Sequence, residues 1–107
     1  MILWFYVFNS DGPEEISLSI SRQSLNVTMG KTIGPIVCSA TCYPTCHYKW
    51  QHMVNGGYID FNNSATIVLT SVKMSDSGYY RCVVVHQNDT AKTGTVMLAL
   101  NVYGMSK

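Results

Sequence analysis

Asp76-Ser77-Gly78-Tyr79-Tyr80-Arg81-Cys82, running straight into Val83-Val84-Val85, is the stretch that decides how this chain folds. An acidic turn, a glycine and a tyrosine two positions before a cysteine lead into a β-branched run, the composition of a corner feeding a strand. A strand entered in this way needs a second sheet to pack on. Upstream, Cys38 is followed twelve residues later by Trp50, so another cysteine and a large aromatic residue are available to such a core.

Taken together, Cys38, Trp50, Asp76, Gly78, Tyr80 and Cys82 resemble the signature of the immunoglobulin superfamily, over a region from about Pro13 to Val102. The resemblance implies an all-β sandwich of two antiparallel sheets with about seven or eight strands. It also implies that Cys38 bonds to Cys82 between the sheets, that Trp50 packs on the bridge, and that the Tyr80 hydroxyl closes the corner against upstream backbone. Asp76 is expected to pair with a basic side chain such as Arg22 or Lys31. Only 16 residues separate Trp50 from the strand starting near Thr66, too few for the two extra strands of an antibody variable domain, so the I or C2 sets are the nearer type. The aromatic-Gly-x-Gly joining signature of variable domains is also missing from the last strand.

At 107 residues the chain has room for one core. Charged residues are 12% of it and the net charge is +1, which speaks against a nucleic-acid or other polyanion surface. Four cysteines in a short chain rich in strands point to an oxidising compartment, hence secretion or display at a cell surface. By count alone they allow three pairings. Under the resemblance, Cys42 and Cys46 remain to staple a tight turn around Pro44, with thiolate metal ligands as the competing reading. Asn-x-Ser/Thr triplets at Asn26, Asn62 and Asn88 mark candidate glycosylation positions and should be exposed.

The expected organisation is an apolar segment and linker over residues 1–12, the immunoglobulin-like domain over 13–103, and a tail over 104–107. Residues 1–8 are apolar and aromatic, too short to span a bilayer and without the basic start and small-residue cleavage site of a complete signal peptide. They read either as the remainder of a secretion signal or as the last strand of a preceding module. Alternation in Ile16-Ser17-Leu18-Ser19-Ile20 and a second piece over residues 24–29 suggest a first strand broken near Arg22-Gln23 that changes sheets. Gly34-Pro35 punctuates the entry to the next strand, where Ile36, Cys38, Ala40 and Cys42 share a face. Trp50 set opposite Cys82 places position 47 opposite 85 and position 46 opposite 86.

Alternation puts Cys82, Val84 and His86 inward and Arg81, Val83 and Val85 outward, while Met97 and Ala99 form the outward set of the last strand. Val83, Val85, Met97 and Ala99 are then expected to make a contiguous apolar patch, rimmed by Lys49, Gln51 and Arg81 with Tyr58 as an aromatic anchor. Ordinary packing under the N-terminal aromatic run is the alternative. His47 and His86 near one end of the sandwich, with Asp89 in the next loop, form a weak zinc-site candidate, although alternation puts the two rings on opposite faces. Neither a glycine-flanked nucleophile, nor an acid pair near a histidine, nor a phosphate loop is present, so an enzyme is not expected.

The run Cys38-x3-Cys42-x3-Cys46 before His47-Tyr48-Lys49-Trp50 resembles adhesion-type immunoglobulin proteins of invertebrates, including those like junctional adhesion molecules. That resemblance implies a cell-surface or secreted recognition module for cell adhesion, self-associating as a homodimer through the outer face of Val83 and Val85, and no cofactor is expected. The alternatives are an innate-immune module that takes microbial glycans or lipids at its loop end, residues 43–47 with 86–90, and a spacer in a tandem array.

Overall fold

Alternating apolar residues become buried stripes in the long strands: Tyr80, Cys82, Val84 and His86 on one, and Val96, Leu98, Leu100 and Val102 on the next. The computed structural model describes residues 11–104, so the readings of residues 1–8 lie outside the described residues. Eight strands follow in order: β1 Asp11–Leu18, β2 Ser24–Thr28, β3 Ile33–Tyr43, β4 Cys46–Val54, β5 Gly57–Asn62, β6 Thr66–Leu69, β7 Gly78–His86 and β8 Thr93–Tyr103. The first begins two residues inside the segment expected as linker.

A small sheet has the order β1-β3-β6 and a large one the order β2-β8-β7-β4-β5. Five of the strand pairings are antiparallel, as expected of this sandwich, and one is not: β2 runs parallel to β8, from Ser24 opposite Ala99 to Thr28 opposite Tyr103. The cause is the broken first strand. Pairing with β3 fixes the direction of β1, and the chain keeps that direction when it crosses to the large sheet. It is received there by β8, starting with the Ala99 N–H donated to the Gln23 carbonyl at 2.8 Å.

Gly34-Pro35 lies inside β3 and not before it. Ile33 pairs with Leu69 and Ile36 with Ile67, three steps against two, which is a β-bulge. Gly34 takes φ +103°, and a Cβ there would stand 2.6 Å from the Ile67 carbonyl oxygen. Only glycine fits both conditions.

Between the sheets, Cys38 and Cys82 are bonded with their Cα atoms 6.5 Å apart. Trp50 sits fully buried among the core residues, and its Nε1–H donates to the Ala65 carbonyl at 3.0 Å. Burying an indole this large is worth several kcal/mol only if its one polar atom is satisfied, and here it is.

Candidate recognition surface

Approaching from the corner, Met74–Asp76 form one 3-10 turn. Asp76 Oδ2 accepts the Lys73 backbone N–H at 2.8 Å, so its expected pairing with Arg22 or Lys31 is corrected: the carboxylate caps the turn locally. The Tyr80 Oη donates to the Asp76 carbonyl at 2.6 Å, as the corner requires. Gly78 then opens β7.

The register between β4 and β7 sets Trp50 opposite Cys82, His47 opposite Val85, Lys49 opposite Val83 and Gln51 opposite Arg81. On the other side of β7, Met97 lies opposite Arg81, Ala99 opposite Tyr79, and Thr95 and Thr93 opposite Val83 and Val85. The outer face of the large sheet is therefore not a contiguous apolar patch. Val83 is buried at 8% exposure, and Arg81 separates it from Met97 and Ala99. The supposed rim is the centre.

That centre is built from crossing side chains. Tyr58, half-buried on β5, lies under the Arg81 guanidinium, 3.7 Å from ring centroid to Cζ. Its hydroxyl donates to Met97 Sδ at 3.5 Å. Arg81 Nε–H donates to Gln51 Oε1 at 2.7 Å, and Gln51 Nε2–H donates to Asp60 Oδ1 at 2.9 Å. Lys49 Nζ stands 3.4 Å from the same carboxylate. The Gln51 amide, and after it the Lys49 charge, hold the Asp60 carboxyl below the ordinary carboxylate range. Asp60 and Tyr79, the latter exposed beside Ala99, also belong to this face, beyond the patch and rim expected from the sequence.

One signal for Asp60 was present. Asn55-Gly56 is a two-residue turn with φ +52° and +83°, and it sets Val54 opposite Gly57. Counting back along the hairpin puts Gln51 opposite Asp60.

At the loop end, Cys42 and Cys46 are bonded. His86 is buried, its Nε2–H donating to the Tyr43 carbonyl at 2.7 Å while Nδ1 accepts the Asn88 N–H at 3.0 Å. The Gln87 N–H donates to the Thr45 carbonyl at 3.1 Å. Both ring nitrogens are spent on tying the stapled turn to the β7–β8 loop. His47 is exposed on the other face and Asp89 Oδ1 accepts the Ala91 N–H, so the three zinc candidates are not brought together. No group of three His, Cys, Asp or Glu side chains suited to a metal occurs among the described residues.

A cavity of about 440 Å³ opens beside β4, with Lys49, Ser64 and Val85 in its walls. Asn26 and Asn88 are exposed, whereas Asn62 is half-buried, contrary to the expectation for all three triplets.

Two sheets bolted by one disulfide, an indole against the bolt and a tyrosine closing the corner define an immunoglobulin domain, and this chain has that fold. No family model matches it. Human matrix-remodeling-associated protein 5 is 35% identical over 72 residues, 57% of this chain and 2% of that protein. The mouse homolog of mucosa-associated lymphoid tissue lymphoma translocation protein 1 is 29% identical over 72 residues, 67% of this chain and 8% of that protein. Among solved structures, the N-terminal four immunoglobulin domains of Dscam1 isoform 9.44 align over 89% of this chain and 26% of theirs, with a TM-score of 0.63 at 21% identity. Isoform 1.9 aligns over 84% and 25%, with a TM-score of 0.62 at 21% identity. In each case this chain spans a small fraction of the longer protein.

Proposed function

We propose that the chain is a cell-surface or secreted recognition module that binds protein, and specifically a second copy of itself, through the outer face of the large sheet. Two disulfides suit an oxidising, extracellular setting. A Dscam structure solved to explain isoform specificity shares the fold at a TM-score of 0.59 and 23% identity, which supports a recognition role by likeness only.

The observation that carries the reading is the Arg81–Tyr58 stack. Arginine and tyrosine dominate the energetics of protein interfaces because they give large contact area with directed polar groups. Here the ring and Gln51 hold the guanidinium in place before any partner arrives. The terminal N–H groups of Arg81 have no partner among the described residues, so they are available to an acceptor. The same face offers one in Asp60, whose side chain is 62% exposed, so two copies facing each other have complementary charge.

Sedimentation velocity over a concentration series tests this. A monomer–dimer equilibrium is expected, weakened about 30-fold by Arg81→Glu, the loss of a strong hot spot, and also weakened by Val85→Asp. A monomer at every concentration, unchanged by either substitution, overturns the reading and leaves the loop-end recognition module and the spacer.

A further inference from the structure

The three Asn-x-Ser/Thr triplets are chemically alike in sequence but not in the fold. We infer that Asn26 and Asn88 carry N-linked glycans and Asn62 does not, so that sugar brackets the outer face of the large sheet and leaves its Arg81–Tyr58 centre bare. This rests on the extracellular part of the function proposed above, since the modification occurs in the secretory pathway.

The glycan is attached to the side-chain Nδ2 of asparagine. At Asn62 both ends of the amide are in use: Nδ2–H donates to the Thr66 carbonyl and Oδ1 accepts the Ser64 N–H, each at 3.2 Å. The Ser64 hydroxyl, which completes the triplet, accepts the Thr66 N–H at 3.1 Å. Every polar group of that triplet which transfer needs is folded into the turn over residues 62–66. All these bonds span four residues or fewer, so the turn needs no distant strand in order to close.

Asn26 differs in both respects. It is exposed on β2, and its Oδ1 accepts the Asn101 Nδ2–H at 3.2 Å across 75 positions, a bond that cannot form until the last strand exists. Its own Nδ2 has no partner among the described residues. Asn88 is exposed in the β7–β8 loop, where its backbone N–H is committed to His86 and its side chain has no partner among the described residues.

Placement gives the modification its consequence. Asn26 lies level with Asn101 at one corner of the outer face, two positions beyond the Ser24–Ala99 pair. Asn88 follows the strand end where Val85 meets Thr93 and His47. Arg81, Gln51, Tyr58 and Asp60 occupy the middle and the β5 side. Sugar at the two ends blocks the β2 edge and the loop tip and directs a partner to β7, β4 and β5.

The test is to secrete the full chain behind a heterologous leader from cultured animal cells, release the glycans with peptide N-glycosidase in heavy-oxygen water, and map the tagged positions by mass spectrometry. Tags on Asn26 and Asn88 and none on Asn62 are expected. Asn26→Gln and Asn88→Gln should each remove one mobility step on a gel, and Asn62→Gln should remove none. A glycan on Asn62, or a bare Asn26 or Asn88 in secreted protein, overturns the inference. Sedimentation of the same material keeps the two ideas apart: the expected map on a strict monomer removes the self-association reading and leaves the glycan assignment standing.

Discussion

Tyr80 is 1% exposed yet carries a hydroxyl, and burial of that group is tolerable because the Asp76 carbonyl accepts its proton at 2.6 Å. Tyr80→Phe keeps the ring but leaves the carbonyl without that donor, so it should lower stability by about 1–3 kcal/mol in urea unfolding at neutral pH. Burial first, and the Asp76 charge second, push the Tyr80 hydroxyl from 10.0 up to about 12. A raised pKa in the folded state means that the stabilising contribution is whole below pH 10.0 and is lost as pH climbs through about 12. The gap between wild type and Tyr80→Phe should therefore narrow across that window. The tyrosine–cysteine spacing made this corner legible in the sequence. The partner of Asp76 was not legible, because a carboxylate three residues past an N–H in a tight turn meets backbone before it meets any distant cation. His86 points inward, as its parity with Cys82 predicts. Its bond to the Tyr43 carbonyl depends on a turn 43 positions away folding back over it, which no local pattern encodes.

Among the elements, β6, β7 and β8 follow their apolar alternation closely, whereas β3 and the outer face show where alternation stops being informative. Period two says which way a side chain leaves its strand. It does not say that Tyr58 on β5 reaches over β4 and β7 to touch Met97 on β8, and that reach is what turned an expected apolar patch into a polar, pre-assembled centre. A bulge is similarly invisible to a parity count, since it inserts the residue that breaks the count. Gly34→Ala tests whether that bulge is required. The substitution places a Cβ 2.6 Å from the Ile67 carbonyl in a backbone conformation at φ +103°. It should cost about 2–3 kcal/mol through strain and the shift of β6, read as a lower denaturation midpoint at unchanged m-value. An unchanged midpoint would mean that β3 and β6 can pair without the bulge.

For the molecule as a whole, the two disulfides divide the labour unequally, and their loop lengths say how. Closing a loop in the unfolded chain removes entropy roughly with the logarithm of its length. Separations of 44 and 4 residues therefore correspond to about 4 and about 2 kcal/mol respectively. The long bridge also ties the small sheet to the large one beside Trp50, so Cys38→Ala with Cys82→Ala opens the core and should abolish cooperative unfolding. The short one acts on the loop end alone. Cys42→Ser with Cys46→Ser should lower the stability measured in urea by about 2 kcal/mol or less. Backbone hydrogen exchange at Gln87 and Asn88 should rise, since the turn that accepts from Gln87 and His86 is no longer stapled. Gln51 and Arg81 pair with each other five positions along the sheet from the Cys46–His86 pair beside that turn, and Tyr58 stands on β5 at the far side, so self-association by sedimentation should be unaffected in the same variant. Loss of association on opening the short bridge would instead move the binding surface from the sheet to the loop end, where Tyr43 is already exposed.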